Sequence, residues 1–230
     1  MPAIKERTGL TGNQLKIIAM VSMTLDHIGF ILLPQSTVLR ILGRLAFPIY
    51  AYMVAEGCRY THDIRAYFLR LLGLGLLCQV VSFLATGSLY QCILITFSLS
   101  VALIMALERW KRQGKGALAA GAFLLALFLC VVLPELLPDT DYGVDYGLIG
   151  VCIPVLVWMG KNPKQKLGLL TLGLVLLALD SRGIQGYALA AVPLLALYGG
   201  QRGKYAVGKL FYIYYPLHLA VLYGIWWLFW

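Results

Sequence analysis

The sequence predicts an all-α integral membrane protein: a polytopic helical bundle of about nine transmembrane helices, with the N-terminus cytoplasmic and the C-terminus outside. Two observations carry this. Of the 230 residues, 60% are hydrophobic and only 13% charged, whereas soluble domains run nearer roughly 45–50% apolar and 25% charged. The surplus apolar surface has to face lipid. Lys and Arg also recur in every second connection between the apolar runs, as cytoplasmic loops require. Spans of roughly 20 residues each consume most of the chain, so residues 1–230 are expected to form a single transmembrane domain.

The spans are expected at 13–33, 37–57, 64–84, 90–108, 116–134, 143–160, 165–180, 185–200 and 207–229. The first follows a basic start, but Asp26 and His27 interrupt it and no small-residue cleavage site follows, so it reads as a retained helix rather than a signal peptide. Pro34, Gly87, Gly114, Pro134, Pro138, Gly160, Pro163, Gly183 and Gly203 mark the joints. Pro48 is expected to kink the second span. The seventh and eighth spans are the shortest. Trp226, Trp227 and Trp230 close the ninth, where an interfacial aromatic belt anchors a helix.

The direction follows from the basic residues. Inside segments hold Lys5, Arg7 and Lys16; Arg59, Arg65 and Arg70; Arg109, Lys111, Arg112 and Lys115; Lys161, Lys164 and Lys166; and Arg202, Lys204 and Lys209. Only Arg182 falls outside, and Arg40 and Arg44 lie within the second span. The outside connections carry Glu135, Asp139, Asp141, Asp145 and Asp180. A net charge of +9 spread over short inter-span clusters fits an anionic leaflet and not nucleic acid. Cys58, Cys78, Cys92, Cys130 and Cys152 form no CxxC pairs and read as small apolar packing residues, with no metal expected.

Charges inside spans are costly, about 2.5–3.5 kcal/mol each at mid-helix, so they mark functional candidates. Asp26 and His27 fall in the outer half of span one; they satisfy each other or a neighbouring helix, or they act as a carboxylate-oriented base. Arg40 and Arg44, spaced i,i+4 at similar depth, pair with Asp26 or bind an anion, with Arg40 also able to snorkel. Glu56, Arg59 and Tyr60 close span two, and Arg59, Arg65 and Arg70 form a basic cluster, either ordinary loop charge or a phosphate patch. His218 lies near the midplane of span nine, sharing a face with Phe211, Tyr215 and Leu222.

Several of these residues stand in longer motifs. Leu15-Lys16-Ile17-Ile18-Ala19-Met20, Asp26-His27-Ile28-Gly29, the run from Leu39 to Pro48, Glu56-Gly57-Cys58-Arg59-Tyr60-Thr61, Asp145-Tyr146-Gly147 and the run from Lys209 to Leu219 together resemble the TraX family. That family is associated with N-terminal acetylation of pilin and is similar to a wider superfamily of membrane acyltransferases that use acetyl-CoA. The resemblance implies acetyl-CoA entering from the cytoplasm, a peptide or glycan acceptor reached from the outer side, and a multi-pass protein of the bacterial cytoplasmic (inner) membrane.

Under that reading His27 is the base, oriented by Asp26, and Arg44 with Arg40 holds the acyl carbonyl or oxyanion. Lys16, Arg59, Tyr60, Arg65 and Arg70 meet the CoA phosphates. Arg40, Glu56, Tyr215, His218 and Asp145 line the passage of substrate and acyl group. The partners are then acetyl-CoA, the acceptor, the lipid bilayer and, for a self-associating bundle, a second copy of the chain. Two other readings stand beside it: a proton-coupled transporter with Asp26, His27, Arg44 and Glu56 as relay, and a structural or assembly factor in which the buried charges are interhelical ties.

Overall fold

A computed structural model describes residues 9–181, 183–204 and 208–229. Lys5, Arg7, Arg182 and Trp230, and the side chains of Lys209, Leu210 and Phe211, lie outside the described set. Among the described residues there is no strand, only two isolated bridges, Leu10 with Tyr198 and Gln91 with Val144. The helices are α1 (Gly12–His27, continued by a π-helical turn, Ile28–Leu32), α2 (Thr37–Gly43), α3 (Ala46–Tyr60), α4 (Ile64–Thr86) and α5 (Ile93–Gln113). They continue as α6 (Gly116–Leu127), which passes through a second π turn, Phe128–Val132, into α7 (Leu133–Leu136). Then come α8 (Gly147–Met159), α9 (Pro163–Ser181), a 3-10 segment (Gly183–Ala190) leading into α10 (Ala191–Ala196), and α11 (Gly208–Phe229).

A helical segment stands at each of the nine expected spans. Five are long and apolar enough to cross a bilayer: Gly12–Leu32, Thr37–Tyr60, Ile64–Thr86, Ile93–Gln113 and Gly116–Leu136. The segments Gly147–Met159 and Gly183–Ala196 are apolar but shorter. The expected short seventh span is corrected: α9 has 19 residues, and the sixth segment, α8, has 13. The reason is local. Asn162 Oδ1 accepts from the Gln165 amide and Gln165 Oε1 accepts from the Lys161 amide, so the cap starts α9 at Pro163 and draws Lys164 and Lys166 into the helix.

The chain divides into two compact units, residues 1–53 with 183–230, and residues 54–182. In the first, Thr11 and Gln14 form a capping box at the start of α1. The strand-like stretch before it is tied down by Leu10 N–H to the Leu197 carbonyl at 2.8 Å and Gly12 N–H to the Gln201 carbonyl at 2.8 Å. Helices α1 and α2 approach closely because the facing positions are glycines. A Cβ at Gly43 would overlap the Asp26 side chain, and one at Gly29 would meet Leu39 Cβ at 2.9 Å.

Pro48 shapes the next element. Its ring excludes the carbonyl four residues back, at Arg44, and it has no N–H to give it. The helix accordingly breaks at Arg44 and Leu45 and resumes at Ala46 with Pro48 in its first turn. Instead of a bend at the proline itself, the break falls on the charged residue.

In the second unit α5 packs against α4, α6 and α8, and α8 against α9. Polar ties cross these contacts: Ser100 Oγ donates to the Val151 carbonyl at 2.7 Å and Thr96 Oγ1 to the Asp145 carbonyl at 2.8 Å. Gly75 and Gly173 admit Ile95 and Ile153. Leu84, Trp227 and Phe229 are exposed by 74% or more. Such positions suit lipid and would be a liability in water.

Candidate functional site

Consecutive residues on a helix point about 100° apart, so Asp26 and His27 serve two different clusters of the first unit. A π-helical turn begins directly after them, the kind of local widening often found at functional positions.

Asp26 is gripped by two guanidinium groups. Arg40 Nη1 lies 3.0 Å from Oδ2, and Arg44 Nη2 binds Oδ1. Arg44 is 8% exposed. Its Nε donates to the Arg40 carbonyl at 3.2 Å and its Nη1 to Gln185 Oε1 at 3.0 Å. One carboxylate between two guanidinium groups leaves this cluster net positive in a low-dielectric setting, where each charge acts strongly.

His27 belongs to the second cluster. His218 Nε2 and His27 Nδ1 are 2.9 Å apart, and His218 Nδ1 is 3.0 Å from the Tyr214 carbonyl. The protons follow from donor logic. A carbonyl only accepts, so His218 Nδ1 carries a hydrogen and neutral His218 presents a lone pair at Nε2. His27 therefore donates from Nδ1, which leaves its own lone pair on Nε2. Tyr214 stacks on His218, with centroids 5.1 Å apart, and Tyr215 meets both imidazoles edge-on. The same helices are pinned once more. Thr24 donates to the Met20 carbonyl at 2.9 Å, so Tyr214 must be the donor in its short contact with Thr24.

The sequence expectations sort accordingly. The structure brings Asp26, Arg40 and Arg44 together, and separately His27, His218 and Tyr215. The expectation that Asp26 orients His27 is corrected: its carboxylate is held by the arginines, and His218 holds the imidazole. Lys16 is half-buried near the start of α1. In the second unit Glu56 forms a buried ion pair with Lys166, which explains a lysine that reads from sequence as loop charge. Arg59 donates to the carbonyls of Trp158 and Gly160, capping the C-terminal end of α8. Tyr60, Arg65 and Arg70 are exposed.

Asp145 accepts from Tyr90 at 3.4 Å, and the next residue, Tyr146, adopts φ +60, a left-handed conformation at the start of α8. Asp141 takes the Ser88 hydroxyl and the Leu89 amide, which hold its carboxyl below the usual range. Gln185 escaped the sequence reading, and Lys166 entered it only as loop charge. Gln185 left one signal, being the lone amide between Gly183 and Tyr198. Among the described residues, no group of three or more His, Cys, Asp or Glu side chains is placed to hold a metal.

Apolar spans, a histidine pair of which His218 is buried and His27 half-buried, and a carboxylate between two arginines define the class: a polytopic helical membrane protein with a polar site inside its helices. The chain belongs to the TraX family, whose model, described as "TraX protein", matches residues 11–226. It is similar to "Protein TraX" of Escherichia coli, 27% identical over 218 residues covering 90% of this chain and 84% of that one. It is also similar to the "Probable fimbrial assembly protein FimC, serogroup H1" of Dichelobacter nodosus, 25% identical over 248 residues covering 91% and 93%. No solved structure matches it.

Proposed function

We propose that this chain is a membrane-embedded acetyltransferase that moves an acetyl group from acetyl-CoA to an amine or hydroxyl acceptor. The observation that carries the reading is the His27–His218 hydrogen bond, which on the donor logic above leaves the imidazole lone pair of half-buried His27 on Nε2. His27 Nε2 takes the proton from the acceptor as its nitrogen or oxygen attacks the thioester carbon. The new N–C or O–C bond forms and the carbonyl electron pair moves onto oxygen. Collapse breaks the C–S bond, and the CoA thiolate leaves and receives the proton from His27. His218 shares the imidazolium charge through the Nδ1 hydrogen bond, while the net positive Asp26–Arg40–Arg44 cluster favours the oxyanion by its field.

With Arg59 committed to the α8 carbonyls, the phosphate-binding candidates that remain are Arg65 and Arg70, exposed on α4, with exposed Tyr60 and half-buried Lys16. A fimbrial or pilin-like peptide N-terminus is the favoured acceptor, with a surface glycan second; the names of the two relatives support the first. The alternating basic connections support nine crossings with a cytoplasmic N-terminus, in a bacterial inner membrane. The family match runs through both units.

Purified protein in nanodiscs, given acetyl-CoA and a peptide with a free N-terminus, is expected to release thiol and yield acetylated peptide. His27→Ala is expected to lower turnover about 10²–10⁴-fold. Normal turnover in that variant would remove the proposed base. The fimbrial-assembly relative favours one other reading, a structural factor; His27→Ala would then disturb folding without any turnover to lose.

A further inference from the structure

Two buried side-chain polar atoms among the described residues have no hydrogen-bond partner: Gln79 Oε1 and Gln185 Nε2. Gln79 uses its nitrogen on the Ser88 carbonyl near the end of α4. Gln185 sits against the charged cluster and is 6% exposed. The two ends of an amide have the same shape, but Arg44 decides between them. A guanidinium only donates, so the atom 3.0 Å from Nη1 is the amide oxygen, and the NH2 group is turned away from Arg44. Buried donors are almost always satisfied, so one left over at a charged cluster marks a place where another molecule supplies the acceptor.

Arg44 is already engaged on all three nitrogens, by the Arg40 carbonyl, Gln185 and Asp26. The geometry points to Gln185 as the residue that donates to the acyl carbonyl oxygen, with Arg44 as the positioning residue that fixes the amide's orientation. This rests on the acetyl-transfer reading above. An NH2 donor backed by two guanidinium groups and one carboxylate suits an oxygen that gains negative charge, and does not suit an amine or a cation. The hydrogen-bonded chain Gln185–Arg44–Asp26 leads to the residue next to His27. When the acceptor attacks, the carbonyl pair moves to the oxygen and the Gln185 hydrogen bond strengthens. When the C–S bond breaks, the pair returns and the bond relaxes.

The test is Gln185→Glu, which keeps an oxygen for Arg44 and removes the donor. The result expected is a fold of unchanged or raised thermal stability and a kcat lowered about 10²–10³-fold, with KM little altered. Retained kcat refutes the role; a lowered kcat alone does not separate donor loss from the negative charge added beside the Asp26–Arg40–Arg44 cluster, so the binding ratio decides. A second measurement needs no turnover: binding of S-acetonyl-CoA, a thioether ketone that keeps the carbonyl but cannot transfer, against CoA. Wild type is expected to prefer the ketone about 2- to 10-fold, as one neutral hydrogen bond allows, and Gln185→Glu to lose the preference. If Gln185→Glu folds poorly, Gln185→Met is read by the same binding ratio. A retained preference or retained kcat overturns the inference and leaves the acetyltransferase reading standing. Wild type binding neither probe overturns both.

Discussion

Asp26→Asn tests the electrostatic core of the first unit. The substitution keeps the shape and removes the charge that two guanidinium groups share. Arg44 has 10% of its side chain exposed and Arg40 26%, against 17% for Asp26, so the two pairs are not equal. Removing one partner of a buried ion pair costs about 3–5 kcal/mol, because the other charge stays behind uncompensated. The more exposed Arg40 contributes no more than about 1 kcal/mol. Asp26→Asn is therefore expected to destabilise by about 3–5 kcal/mol, and Arg40→Gln by about 1 at most. Arg44→Met leaves Asp26 with Arg40 and should lie between them. The double variant Asp26→Asn/Arg44→Met should be more stable than the sum of the singles implies, by about 0.5–3 kcal/mol of coupling. Thermal unfolding in detergent micelles, followed by tryptophan fluorescence, reads all four proteins. Strict additivity, or an Asp26→Asn protein within about 0.5 kcal/mol of wild type, the range of ordinary surface changes, would refute the reasoning.

Close helix approach makes Gly43 sensitive: Gly43→Ala is expected to destabilise by about 1–3 kcal/mol, because a Cβ there overlaps Asp26. Gly121→Ala, where a Cβ meets nothing within 4 Å, should be neutral in the same unfolding assay. Asp141 is held below the usual carboxylate range by Ser88 and Leu89. Its contribution is therefore complete above the unfolded-state pKa and disappears as pH falls through the lower folded value. Proteolysis of the loop joining α4 to α5 should accelerate in acid for wild type, whereas Asp141→Asn should cleave at the fast rate already at neutral pH.

The apolar runs were legible because lipid-facing surface leaves a compositional mark on every span. The Asp26–Arg44 pairing was legible too, since opposite charges at matched depth in adjacent helices have few other partners. The break in the second span was readable in kind, but Pro48 acts four residues upstream of itself, so it falls on Arg44. The histidine pair left no local trace. His27 and His218 stand 191 positions apart, and periodicity reports only neighbours on one helix. Lys166 was misleading for a related reason: a lysine beside a loop looks solvated until its buried partner, Glu56, is seen.

That separation also has a bearing on biogenesis. α1 enters the membrane early in synthesis, yet its imidazole gains an orienting partner only when α11 docks, the contact sealed by Tyr214 on Thr24 and His218 on His27. Closing so long a loop is among the entropically slower events of assembly. Under the proposed acetyltransferase chemistry, a growing chain carries an unarmed base through translation, and turnover begins with the arrival of its last helix. Co-expressed fragments divided between α10 and α11 should regain turnover only when both are present.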